Sequence, residues 1–87
     1  MSDADELRNE VNQTISELQE IQRLLMQVKD KMRSVQGKVI MFDLLHSNSH
    51  QVRSAARMAP EIGQQIETDQ EIVGQIQSEL RQWSYSL

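Results

Sequence analysis

The sequence has no cysteine, one proline, three glycines and three aromatic residues among its 87 residues. Without cysteine the chain can form neither a disulfide bond nor a thiol nucleophile, and a reducing, cytoplasmic compartment is expected. The residues that are frequent instead, such as Leu, Gln and Glu, lose little side-chain freedom in a helix. A chain of this length forms one small domain. A single all-α domain over residues 1–87 is therefore predicted.

Long hydrophobic runs are also missing. The longest is VIMF at residues 39–42, whereas a membrane-spanning helix needs roughly 20 apolar residues. The chain begins MSDADELRNE, which is acidic and has no apolar segment typical of a secretory signal. A soluble protein with no membrane span is expected.

Apolar residues recur at a spacing of three and four in both halves of the chain, as in a coiled coil. With Val11 at heptad position a, the a and d positions of the first half are Leu7, Val11, Thr14, Leu18, Ile21, Leu25, Val28, Met32, Val35, Val39 and Phe42. In the second half they are Val52, Ala55, Ala59, Ile62, Ile66, Asp69, Val73, Ile76, Leu80, Trp83 and Leu87. These two series predict two long helices whose a and d residues pack against each other.

The segment DLLHSNSHQV, residues 43–52, separates the two series. Ser and Asn favour turns and helix N-termini, so the chain is expected to fold back here. The prediction is an antiparallel two-helix coiled-coil hairpin, with helix 1 at about 3–46, a turn at about 47–50 and helix 2 at about 51–84. Pro60 is expected to kink helix 2 without ending it. One continuous helix through the turn, and a new helix start at TDQE, residues 68–71, are the alternatives.

Further apolar residues lie outside the a and d positions, which widens the apolar surface beyond one coiled-coil contact. They are Ile15, Leu24, Met26, Ile40, Met41, Leu44, Leu45, Met58 and Ile72. Together they predict an interaction surface, through which two hairpins form a four-helix bundle (a homodimer) or one hairpin packs on a helical partner. Asp69 interrupts the d series. It either reaches water or sets the register or a contact with a basic partner side chain.

Charge is distributed unevenly along the chain. Residues 1–22 carry a net charge of −5, residues 23–57 of +5 and residues 58–87 of −4. In a hairpin, the turn half is thus basic and the end with both termini is acidic. The residues of this basic tip are Arg23, Lys29, Lys31, Arg33, Lys38, Arg53 and Arg57. The gradient fits simple solvation, antiparallel self-association, docking of an acidic protein, or binding to nucleic acid or another anionic surface. Nucleic acid is the least favoured of these, because the net charge is negative and the tip offers no free aromatic residue for base stacking.

Catalytic and cofactor motifs are sparse. Asp43, His46 and His50 are spaced like metal ligands on a helix, but metal-binding helical bundles need several more carboxylates. The sequence contains no glycine-rich phosphate loop. No metal, cofactor or enzymatic activity is predicted. The expected function is a non-enzymatic protein–protein interaction module, such as a small adaptor, assembly chaperone or structural subunit. The alternative is a regulator that binds nucleic acid or another anionic surface through the basic tip.

Overall fold

A computed structural model of the chain describes residues 3–87. Helix α1 spans Asp3–Leu45 and helix α2 spans His50–Tyr85, and residues 3–87 contain no strand. The molecule measures 67 × 15 × 14 Å, which is close to the length of α1 alone at 1.5 Å per residue, about 65 Å. The two helices pack side by side. The predicted all-α helical hairpin is confirmed, and a single helix running through the turn is excluded.

The turn is held by local hydrogen bonds. Ser49 is the N-cap of α2, where its hydroxyl oxygen accepts a hydrogen bond from the backbone N–H of Val52 at 3.4 Å. The backbone N–H of Ser49 donates to the carbonyl of His46 at 2.9 Å. The Arg53 guanidinium donates to the carbonyl of Ser47 at 2.7 Å. These bonds satisfy groups that the two helix ends leave unpaired, so the chain reverses direction within four residues, 46–49.

Helix α2 continues without a break from His50 to Tyr85 and includes Pro60. The Thr68 hydroxyl donates to the carbonyl of Gln64 at 3.1 Å, four residues earlier in the same helix. This bond is typical of a threonine inside a helix, so no second helix begins at Thr68. The bend expected at Pro60 stays a prediction.

The surface between the helices, called the seam here, differs from the predicted one. Its a positions are correct, and Val11 and Ile66 are buried there. The other half of the seam consists of e positions, which in the sequence-based assignment lay outside it. The buried or half-buried e residues are Ile15, Gln22, Lys29, Gln36 and Asp43 in α1 and Ala56, Gly63, Gln70, Gln77 and Ser84 in α2.

Both helices are therefore rotated relative to the a/d arrangement. Polar residues are tolerated at the e positions because their side chains find partners. The Gln22 amide donates to the backbone carbonyl of Gln70 at 2.8 Å, and the Lys29 ammonium lies 3.2 Å from the Glu67 carboxylate. The long stems of Gln and Lys also cover apolar neighbours. On α2, Gly74 leaves room for the Gln22 side chain.

Replacing the N-cap Ser49 by alanine should lower the free energy of unfolding by about 0.5–2 kcal/mol, since the Val52 N–H then loses its acceptor. Urea denaturation followed by circular dichroism measures this change. Ser47→Ala is the matched control and should change stability by less than about 0.5 kcal/mol. Equal losses in the two variants would contradict the assigned cap.

Candidate protein interface

The rotation of the helices leaves the d and g positions of both helices uncovered. In an antiparallel pair the two chains run in opposite directions, so the heptad positions follow each other in opposite order around the two axes, and equivalent positions lie on the same side of the hairpin. This side is called the open face. Its apolar residues, each between 36% and 57% exposed, are Leu7, Ile21, Leu24, Val28, Val35, Phe42, Met58, Ile62, Ile72, Ile76 and Trp83.

The opposite side of the seam is polar and is called the polar flank. Here e positions of α1 meet e and b positions of α2. Gln22 bonds to the Gln70 carbonyl and Lys29 pairs with Glu67. A Cβ added at Gly74 would lie 3.8 Å from the Gln22 amide nitrogen. The contacts on this side are consistent with the a/e seam. One side of the hairpin thus has polar contacts between the helices, and the other side has exposed apolar side chains.

The residues of the predicted interaction surface do not all lie on one side of the hairpin. Leu24, Met58 and Ile72 lie on the open face. Ile15 does not, because it is 8% exposed and part of the seam. Its assignment to an accessible stripe is corrected, since the seam uses e positions. Leu45 is at a g position at the turn end of the open face and is more exposed, at 68%. The other predicted residues are exposed elsewhere, with Met26 and Ile40 at b positions toward the polar flank and Met41 and Leu44 close to the turn.

The sequence reasoning missed most of the open face. Its largest members at d positions were assigned to the seam: Ile21, Val28, Val35, Phe42, Ile62, Ile76 and Trp83. A usable signal was present in the regular e-position glutamines, at residues 22, 36, 70 and 77. Glutamines at such regular spacing are compatible with a half-buried contact as well as with a solvated surface.

Asp69 is half-buried and accepts a hydrogen bond at 2.9 Å from the Gln65 amide, one turn earlier in α2. Both residues are at open-face positions of α2, so this pair forms a polar break within the apolar side chains of that helix. The alternatives in which Asp69 sets the register or contacts a basic side chain of a partner remain predictions.

The basic residues of the turn half point in several directions. Arg23 pairs with Glu20 of the same helix. This hydrogen bond lowers the pKa of Glu20 and raises the pKa of Arg23. Arg33 lies 3.8 Å from Asp30, while Lys29 and Arg53 are engaged in the contacts described above. The remaining basic side chains, Lys31, Lys38 and Arg57, are exposed and form no ion pair within residues 3–87. Of the seven, Lys31 and Lys38 occupy g positions on the open face.

Asp43 lies at an e position near the turn, where its Oδ1 atom is buried and has no hydrogen-bond partner within the part of the chain described. Neither His46 nor His50 joins it in a metal site. Among residues 3–87, no group of three or more His, Cys, Asp or Glu side chains is arranged to hold a metal ion.

Neither helix within residues 3–87 combines the length and apolar character that crossing a bilayer requires. Comparison of the chain with protein families, curated proteins and solved structures finds no match. Function is therefore inferred from the open face.

Removing the Lys29 side chain should destabilise the hairpin more than removing its partner. The Lys29 side chain is 25% exposed and the Glu67 side chain 60% exposed. Lys29→Ala loses stem packing in the seam as well as the ion pair, and should cost about 1 kcal/mol or more. Glu67→Ala loses a largely exposed ion pair, and should cost about 0–1 kcal/mol. Urea denaturation measures both variants, with the exposed, unpaired Arg57→Ala as control. A larger loss for Glu67→Ala than for Lys29→Ala would contradict this account of the polar flank.

Proposed function

We propose that this protein is a non-enzymatic protein–protein interaction module whose open face packs against other helices. The observation that carries the proposal is the set of half-exposed apolar side chains that both helices contribute to one side of the hairpin. Its residues run from Leu7 to Phe42 on α1 and from Met58 to Trp83 on α2. Exposed apolar patches on soluble proteins commonly mark interaction sites. A small adaptor, an assembly chaperone or a structural subunit would use such a surface.

Stability supports the same proposal. Within residues 3–87 the buried hydrophobic residues are Val11, Ile15 and Ile66, and a chain of this size rarely gains enough stability from its own core. Complete burial of a Val, Leu, Ile or Phe side chain contributes about 1.5–3 kcal/mol. The side chains of the open face are only half-buried, so the hairpin alone gains only part of this stabilisation. Packing on two further helices would bury these side chains and add the rest of the stabilisation. A four-helix bundle is the architecture that we propose.

The basic tip supports the alternative function, binding to an anionic surface, less well. Of its seven basic residues, Arg23, Lys29, Arg33 and Arg53 already contact an acidic side chain or a carbonyl of the same chain. The seven also occupy different sides of the hairpin. Phosphate contacts depend on several cations that approach one backbone together.

A glutamate introduced on the open face should prevent assembly. In Val28→Glu the new carboxylate would have to be buried against the other helices, which is costly without a partner. Met26→Glu is the matched control, because Met26 lies toward the polar flank and is more exposed than Val28, 60% against 44%. The melting temperature of the unmodified protein and of Met26→Glu should rise with protein concentration, as expected for assembly. That of Val28→Glu should be lower and independent of concentration.

The single tryptophan provides a second measurement. Trp83 is on the open face and 45% exposed, so its fluorescence emission should shift to shorter wavelength as the protein assembles. The proposal fails if the protein sediments as a monomer at all concentrations and Val28→Glu is no less stable than Met26→Glu. The hairpin would then be stable with its open face in water.

A further inference from the structure

We propose that the open face is covered by a second copy of this chain in antiparallel orientation, with α1 packed on α1 and the two Leu24 side chains meeting at the two-fold axis. This inference rests on the proposed function and specifies its partner. The two turns would lie at opposite ends of the resulting bundle.

The charges along one edge of the open face carry this inference. The g positions of α1 place Glu10, Glu17, Leu24, Lys31 and Lys38 in a row along that edge, seven residues apart. All four charged side chains are exposed, and none forms an ion pair within residues 3–87. Two acids thus precede Leu24 and two bases follow it at equal distances. Leu24 is also the midpoint of α1, which spans Asp3–Leu45.

A two-fold axis at Leu24 turns this row into matched pairs. When two copies of α1 lie antiparallel, a residue before Leu24 faces the residue equally far after it in the other copy. Glu17 then faces Lys31 of the second copy, and Glu10 faces Lys38 of the second copy. Symmetry repeats each pair, as expected for a two-fold interface in which one surface is complementary to itself. Pairs at flanking positions of this type set the orientation of helices in coiled coils.

The same row disfavours the other way to stack two hairpins. With both turns at one end, α1 would pack on α2 of the second copy. Within the hairpin, Lys29 lies beside Glu67 and Gln22 beside Gly74. By the same register, Glu17 is level with Glu79, so the parallel bundle would place two acids together. Lys31 would face Gln65 of the second copy and Lys38 would face Met58. No opposite charges meet, and like charges across an interface are unfavourable.

The apolar residues are compatible with the antiparallel choice. Ile21, Val28, Val35 and Phe42 lie on the inner side of the charged row, so they would form the core between the two copies of α1. On α2, the polar pair of Gln65 and Asp69 interrupts the apolar side chains. Contact between the two α1 helices is therefore the more apolar of the two helix contacts across the axis.

Cysteine cross-linking distinguishes the two orientations, because the chain contains no other thiol. In the antiparallel bundle, Leu24→Cys should be joined to itself in most molecules by a short bis-maleimide. A mixture of Glu17→Cys and Lys31→Cys should also give a cross-linked dimer. A mixture of Glu17→Cys and Glu79→Cys should not. Met26→Cys is the control for chance collisions and should remain uncross-linked.

Charge exchange provides an independent test in the full chain. Glu17→Lys alone and Lys31→Glu alone should each weaken self-association about three- to tenfold, since each creates two like-charge contacts. The double variant should return to within about twofold of the unmodified protein. Sedimentation equilibrium measures the three variants. Ionic strength raised to about 1 M, where the screening length is roughly 3 Å, should reduce these differences.

Cross-linking between Glu17→Cys and Glu79→Cys without self-cross-linking of Leu24→Cys would overturn the antiparallel arrangement and leave the proposed function in place. A double charge variant weaker than either single variant would also overturn it. If no self-association is found, the second copy is excluded as the partner. The comparison of Val28→Glu with Met26→Glu then decides separately whether the open face is needed at all.

Discussion

The packing of a and e positions between the two helices is the constraint on which the rest of the structure depends, and the hydrogen bond from Gln22 to the Gln70 carbonyl and the ion pair of Lys29 with Glu67 belong to it. Both contacts draw e positions toward the partner helix. The seam therefore combines apolar a residues with long polar or very small e residues. Because each helix has only one direction that points into the seam, the apolar d residues are turned to the side. The open face follows directly from this a/e seam.

The sequence was sufficient for the fold class and for the place of the turn, because both depend on local chemistry. Ser47, Asn48 and Ser49 favour a turn, and the a series from Val11 to Val39 is apolar as a helix contact requires. The predicted a/d contact between the helices was wrong, because the structure uses a and e positions, and the error has a physical reason. A helix with apolar residues at a, d and g offers two adjacent apolar surfaces, and periodicity alone does not determine which of them the neighbouring helix covers.

The charge pattern likewise was predictable from the sequence in part only. Net charge by segment correctly describes a basic turn half, since it needs only the chain to fold back. It contains no information on which side of a helix each base lies. The structure separates Lys31 and Lys38, on the open face, from Lys29 in the seam and Arg53 at the turn. The sequence thus gives one group of seven basic residues, whereas in the structure some of them form contacts within the hairpin and others are exposed without an ion pair among the described residues.

The positions of the buried residues also have a consequence for motion. Val11 and Ile15 lie far from the turn, and Ile66 lies near the middle of the hairpin. Beside the turn, Val39, Val52 and Ala56 are only half-buried, and the bonds of Ser49 and Arg53 are local to the turn and the start of α2. Regions with few buried apolar contacts open at low free energy. We therefore expect the turn end to open at lower free energy than the segment around Val11 and Ile15, although the chain is covalently closed there, and its amide hydrogens to exchange with solvent before those near Ile15.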